Sequence, residues 1–313
     1  MKDFKGTREA CAIAIEELTD KDRDVVFVSS DSLKSVRLVG YAEKYPKNYI
    51  EVGIAEQAAV DVGAGLSTCG MTPYVATYAG FLTMRACEQM RTFVAYPNLN
   101  VKFIGMNAGL IGGEREGTTH QFYEDVSILS AIPNFTILTP ADAAQTYWAV
   151  KAAYEIPGPV YIRVGSGREI DVYDKETEFS MDGIRILKDY GRENIIFASG
   201  FIMDRVLDAA EMLHKEGISV TVADVNIING KNPEKIIETI KSGTRLFTVE
   251  DQSVNGGLGS YIASLSCENA PKHVHKLGLT TFGESGMAKE LADKYGFSPE
   301  AISELVKSNL KEK

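Results

Sequence analysis

The sequence lacks several things that whole classes of protein require. It has no run approaching the roughly 20 apolar residues of a membrane-spanning helix. Its first residues, MKDFKGTREACAIAIEEL, contain no apolar core of signal-peptide length. The net charge of −10 excludes a chain-wide basic footprint for nucleic acid or anionic membrane, so any anion site must be local. The cysteines, Cys11, Cys69, Cys87 and Cys267, show neither CxxC spacing nor a paired framework. That argues against a disulfide scaffold or structural zinc and for buried thiols in a reducing, cytoplasmic setting. Also missing are a GxxxxGK[ST] phosphate loop, a GxGxxG opening a helix, HExxH and GxSxG.

What is present is a soluble α/β composition, 44% apolar and 24% charged, over 313 residues. That length exceeds the usual size of one hydrophobic core and predicts two domains. Helical and strand-like runs alternate: helix 7–18, strand 25–29, helix 55–69, helix 80–94, strand 101–105, strand 135–139, helix 143–154 and strand 160–164. The alternation predicts a parallel sheet covered by helices on both faces. Between residues 165 and 182 it collapses into charged and turn-forming residues, which read as an exposed connection, with a boundary near 180. The rhythm restarts with strand 194–199, helix 203–216, strand 219–225, helix 233–241 and strand 245–250, and residues 254–260 open another helix.

Four places carry more than a bland sheet protein needs. In the stretch YIEVGIAEQA, a strand-like segment runs into an alanine-rich helix with Glu56 near its start. A carboxylate is favoured there by the helix dipole alone, or it serves as a partly buried acceptor for a ligand nitrogen. Tyr78, Phe81 and Met84 recur every three residues, a spacing that fits helix core or a face for a heteroaromatic ligand. The glycine-rich run from Gly109 to Gly117 ends on His120, the only histidine in the first 200 residues. Such a loop permits close backbone approach to a ligand, and the imidazole beside it can bind hydroxyls or move protons. The fourth set is dispersed: Arg8, Ser35 and Arg163 flank the expected elements, and nothing in their spacing joins them. The turn Gly256-Gly257-Leu258-Gly259 and the histidines His273 and His275 read as a tight strand-to-helix turn and surface residues.

Together, Gly6-Thr7-Arg8, Glu56-Gln57, Gly117-Thr118-Thr119-His120-Gln121, Ala131-Ile132-Pro133-Asn134, Thr139-Pro140-Ala141-Asp142, Tyr161-Ile162-Arg163 and Gly256-Gly257-Leu258-Gly259-Ser260 resemble the C-terminal section of transketolases split into two polypeptides. The resemblance covers almost the whole chain. It implies a pyrimidine-binding thiamine-diphosphate domain over 1–175 and a transketolase C-terminal domain over 183–313, both doubly wound α/β. By the same resemblance Glu56 bonds N1′ of the cofactor's aminopyrimidine, Phe81 stacks on that ring, and Tyr78 and Met84 take neighbouring pocket positions. His120 matches the histidine that contacts donor hydroxyls. Arg8, Ser35 and Arg163 match positions that clamp a sugar's distal phosphate.

The chain also departs from the family pattern. Residues 113–121 carry one extra position, with Glu116 where an aspartate is usual and Arg115 added. A further phosphate contact, usually histidine, falls at Asn107. The sugar tail is therefore expected to be a phosphate or a sulfonate, or to belong to a differently branched sugar. The GDG motif that holds diphosphate and Mg2+ is missing, so those ligands are expected from an N-terminal partner subunit in an α2β2 assembly. The rival expectations are the small subunit of a two-oxoacid dehydrogenase, a deoxyxylulose-phosphate-synthase-like enzyme, and an inactive scaffold homologue.

Overall fold

The structure, a computed structural model, describes residues 4–310. Its first half runs α1 (Thr7–Lys21), β1 (Val25–Ser29), α2 (Val39–Lys44), β2 (Tyr49–Glu51), α3 (Glu56–Thr68) and β3 (Thr72–Tyr78). A π-helical turn Phe81–Arg85, α4 (Cys87–Gln89) and a second π-helical turn Met90–Ala95 follow. Then come β4 (Lys102–Met106), α5 (Asp125–Ser130), β5 (Thr136–Leu138), α6 (Ala143–Glu155) and β6 (Val160–Arg163). The second half runs β7 (Arg185–Asp189), β8 (Asn194–Ser199), α7 (Met203–Lys215), β9 (Val220–Asp224), β10 (Ile227–Ile228) and α8 (Glu234–Ser242). It closes with β11 (Arg245–Ser253), α9 (Leu258–Asn269), β12 (Val274–Leu279), α10 (Ala288–Lys294) and α11 (Pro299–Ser308).

The first sheet has the order β10-β5-β6-β4-β3-β1-β2 and the second β12-β11-β8-β9-β7. Every pairing in the first is parallel except β10 with β5, and in the second only β7 pairs antiparallel, with β9. Parallel strands of this kind are buried on both faces and read as continuous apolar runs, as VVFVS does at β1. One face of the first sheet packs on α1 and α6, with Ala10, Ile15, Tyr147 and Val150 at the contact. The other face shares a single apolar cluster with the second half, from Val28, Val60 and Phe103 to Phe197, Leu246 and Ile262. This is the α/β, doubly wound architecture the sequence leads one to expect. β10 comes from beyond residue 180 yet extends the first sheet, so the chain crosses back after the expected boundary.

Two local expectations need correction, and a third gains detail. Residues 80–94 are not one α-helix but two π-helical turns around α4, with Ala86 N–H bonded to Phe81 O at 3.2 Å. The 165–182 connection is exposed or half-buried along most of its length, as expected, and its backbone is tied down: Val172 and Tyr173 donate backbone N–H groups to Asp142 Oδ2 at 2.7 and 2.6 Å, while Oδ1 of the same carboxylate caps α6 through Gln145 N. Of the cysteines only Cys11 is buried, its thiol pushed up to about 12 by that burial, while Cys69 and Cys267 are exposed. All are free, and no helix among the described residues is long and apolar enough to cross a membrane.

Candidate active site

Four of the sequence-predicted residues gather at the carboxyl ends of the first sheet. Ser35 follows β1, Glu56 opens α3 after β2, Tyr78 ends β3 and Asn107 follows β4. The strand order reverses between β1 and β3, and such a switch point leaves a crevice where α/β sheets bind ligands. Ser35 Oγ and Tyr78 Oη face each other across it at 3.4 Å.

Glu56 is 3% exposed and sits where the free N–H groups of α3 favour negative charge. A buried carboxylate without a partner is costly by several kcal/mol. Its partner here is Arg85, whose Nη1 lies 2.7 Å from Oε1 and whose Cζ stands 4.1 Å from the centre of the Phe81 ring. Around Phe81 stand Tyr78, His120 and Phe122, with ring centres 5.5, 5.3 and 5.5 Å away and planes steeply inclined. His120 also meets Tyr78 at 5.2 Å, and its Nδ1 is 3.0 Å from Thr119 Oγ1. Glycine is required at 80, because a Cβ there would lie 2.0 Å from the Phe122 ring.

Beside the rings is a cationic corner. Arg8 donates to Gly165 O at 3.0 Å, to Ser35 O at 3.3 Å and to Asn107 Oδ1. Burial lowers the Arg8 pKa, and the charge of Arg168 lowers it further against the opposing pull of Tyr78, Glu169 and Glu116. Asn107 is fully buried in a left-handed backbone conformation, φ 54°, and its Nδ2 has no hydrogen-bond partner. An orphaned buried donor next to a half-buried guanidinium is matched to the oxygens of an anion.

Residues 5–167 match the family model of the transketolase pyrimidine binding domain, and 182–302 that of the transketolase C-terminal domain. The chain belongs to the transketolase family. It is 32% identical over 287 residues to the 6-deoxy-6-sulfo-D-fructose transketolase subunit SqwH of Clostridium sp. (strain MSTE9), covering 91% of this chain and 88% of that protein. It is 34% identical over 297 residues to one of the subunits of the apulose-4-phosphate transketolase of Phocaeicola vulgatus, covering 94% of each. A solved structure described as a split gene transketolase, inactive beta4 tetramer, superposes with a TM-score of 0.88 at 35% identity over 98% of this chain and 99% of that one.

Within this transketolase fold several expected residues lie elsewhere. Arg163, at the carboxyl end of β6, is closed off from solvent: it is 0% exposed, with Nε 2.9 Å from Asp125 Oδ2 and Nη1 3.3 Å from Asp251 Oδ1. Burial alone would depress its pKa, but the two facing carboxylates raise it above the usual arginine range. The glycine loop packs on protein rather than opening to a ligand, since a Cβ at Gly109 would meet Asp251 at 2.1 Å and one at Gly113 would meet Gln121 at 2.7 Å. Its far end is sewn to the second half by Ser285 Oγ to Arg115 O at 2.6 Å and Thr118 Oγ1 to Gly283 O at 2.9 Å. Arg115, left-handed at φ 71°, and Glu116 are exposed on this loop, and Met84 is 44% exposed beside the rings.

Two residues not singled out from the sequence stand in the site. Arg85 lies inside the aromatic stretch that drew attention to Tyr78 and Phe81. Arg168 follows β6 on the strap, where its Nη1 is 3.5 Å from Glu114 Oε1 and its charge reaches Arg8. The signal for Arg168 was its place just past a strand's carboxyl end. At the other glycine run, the N-terminus of α9 is already filled: Glu250 accepts from Leu258 N at 2.6 Å and Gly259 N at 2.8 Å. His273 is exposed, whereas His275 is half-buried and stacks on Phe247 at 5.0 Å.

Proposed function

We propose that this chain is the pyrimidine-binding half of a two-chain transketolase, moving a two-carbon ketol unit from a ketose with a phosphate or sulfonate tail to an aldose. The observation that carries this reading is an unbroken path of contacts from Glu56 through Arg85, Phe81 and Tyr78 to Ser35, Arg8 and Asn107. An acceptor and an aromatic face suited to a heterocycle, in the same crevice as a cationic corner suited to an anionic tail, support the reading.

The donor set fits thiamine diphosphate, which supplies the nucleophilic carbon and the electron sink for cleaving a carbon–carbon bond when bound. Glu56 would accept the N–H of the aminopyrimidine and Phe81 would take its face. His120, held between Tyr78 and Phe81, presents an imidazole to donor hydroxyls and can carry their protons. Arg8, Ser35 and the free Nδ2 of Asn107 hold the tail, and Arg168 replaces Arg163 as the second cation. Arg115 and Glu116 border the entrance and tune which sugar is accepted.

The diphosphate and Mg2+ ligands are assigned to the N-terminal partner subunit in an α2β2 complex, because the GDG motif that holds them in this enzyme class is missing from the sequence. Residues 1–175 form the pyrimidine-binding part and 183–313 serve assembly, in a cytoplasmic enzyme. The sulfosugar and sugar-phosphate names of the two relatives support an anionic donor.

The test is co-expression with the partner candidate and an assay of ketose phosphates and sulfonated ketoses with an aldose acceptor. Ketol transfer that requires both chains, thiamine diphosphate and Mg2+ is expected. Decarboxylation of a two-oxoacid without ketol transfer would move the chain to the dehydrogenase reading, and turnover by this chain alone would remove the partner.

A further inference from the structure

Arg85 has no role in the chemistry above, yet it touches both groups that would receive the heterocycle. Its Nη1 lies 2.7 Å from Glu56 Oε1 and its Cζ 4.1 Å from the Phe81 ring centre. The cause is local. In the π-helical turn Phe81–Arg85 the hydrogen bond closes from residue 86 to residue 81, so a side chain four positions along stands nearly over the first. Tyr78, His120 and Phe122 frame Phe81 from more than 5 Å at steep angles, which leaves the guanidinium as the group at stacking distance.

A guanidinium is flat, carries its N–H donors in its own plane and stacks on aromatic faces. An aminopyrimidine bonded to a carboxylate and stacked on a phenyl ring presents the same features. We infer that Arg85 is a positioning residue that holds the place of the cofactor's aminopyrimidine on Glu56 and Phe81, and that the ring enters by displacing it. This rests on the thiamine-diphosphate reading.

Both groups need the in-plane side of the Glu56 carboxylate and the face of Phe81, so they exclude one another. The Arg85 side chain is 47% exposed against 4% for that of Glu56, so the guanidinium can swing out while the carboxylate stays in place. Until it does, Arg85 gives the buried carboxylate a partner and keeps it aimed along the Phe81 face. The same contact weakens cofactor affinity, because only the fraction of molecules with Arg85 displaced can receive the ring.

Two measurements test this. Thiamine diphosphate with Mg2+ is titrated calorimetrically into the co-purified two-chain complex carrying wild-type, Arg85→Gln or Arg85→Lys chain. Arg85→Gln is expected to bind about 3- to 10-fold tighter, with Arg85→Lys between, because lysine keeps the charge and loses the flat face. A merely structural role cannot produce tighter binding. On the lone chain, a double-mutant cycle of Glu56→Gln and Arg85→Gln is expected to show coupling of about 3-fold or more in the unfolding constant. Unchanged or weaker cofactor binding by Arg85→Gln, or no coupling in the cycle, overturns the inference alone. A wild-type complex that takes up no thiamine diphosphate overturns it together with the cofactor reading.

Discussion

Arg163 at the end of β6 meets Asp251 on β11 at 3.3 Å with both side chains fully buried, so a guanidinium from the first sheet is bonded into the second half of the chain. Asp125 takes its Nε at 2.9 Å and also accepts from Tyr161 Oη at 2.8 Å. The cluster fastens α5, β6 and β11 together.

Replacing Arg163 with methionine leaves Asp125 and Asp251 buried without their cation. A loss of about 3–5 kcal/mol is expected, measured as a lower urea midpoint for the chain. An unchanged midpoint with a selective rise in KM for an anion-tailed sugar would return Arg163 to the substrate site.

Asp224 gives a pH dependence of stability. Burial raises its carboxyl pKa from 3.8 to about 7, offset in part by the hydrogen bond from Tyr173 and reinforced by Asp142. The folded state therefore binds this proton more tightly than the unfolded state. The stabilisation is fully present below the unfolded value of 3.8 and is lost as pH rises to about 7. Asp224→Asn should flatten the fall in unfolding free energy across that window by up to about 1.4 kcal/mol per pH unit. Parallel profiles for wild type and variant would show that this carboxyl does not titrate there.

The anion corner predicts a substrate-selective defect. Arg8→Gln, Asn107→Ala and Arg168→Gln should each raise KM for a phosphate- or sulfonate-tailed donor by about 10-fold or more, the worth of a hydrogen bond to a charged group. KM for a neutral ketose should hardly change. Equal losses on both donors would deny these residues a role in reading the tail.

Parts of the fold were legible for a simple reason. Buried parallel strands such as VVFVS and IIFA announce themselves as apolar runs, and α6 carries its own cap at Asp142. β3 escaped because TPYVATY neither alternates nor avoids proline, although it is central and buried almost throughout. Residues 81–95 have a spacing compatible with an α-helix, and only the hydrogen bonds distinguish π-helical turns. The strap 165–182 is exposed or half-buried along most of its length, as its charges suggest, but no local pattern tells what its backbone does, which is to complete the bonding of the Asp142 carboxylate.

The sequence alone determined the family, and it singled out Glu56, Phe81 and His120 as candidates, because each stands in a short motif whose neighbours along the chain carry the resemblance. Only the tertiary structure decided which arginines are buried in ion pairs and which remain exposed. Arg163 is closed off by Asp251, 88 positions away, while Arg168 stays half-exposed near Arg8. The physical reason is that a guanidinium's role depends on which distant carboxylate folds against it, and no local pattern encodes that partner.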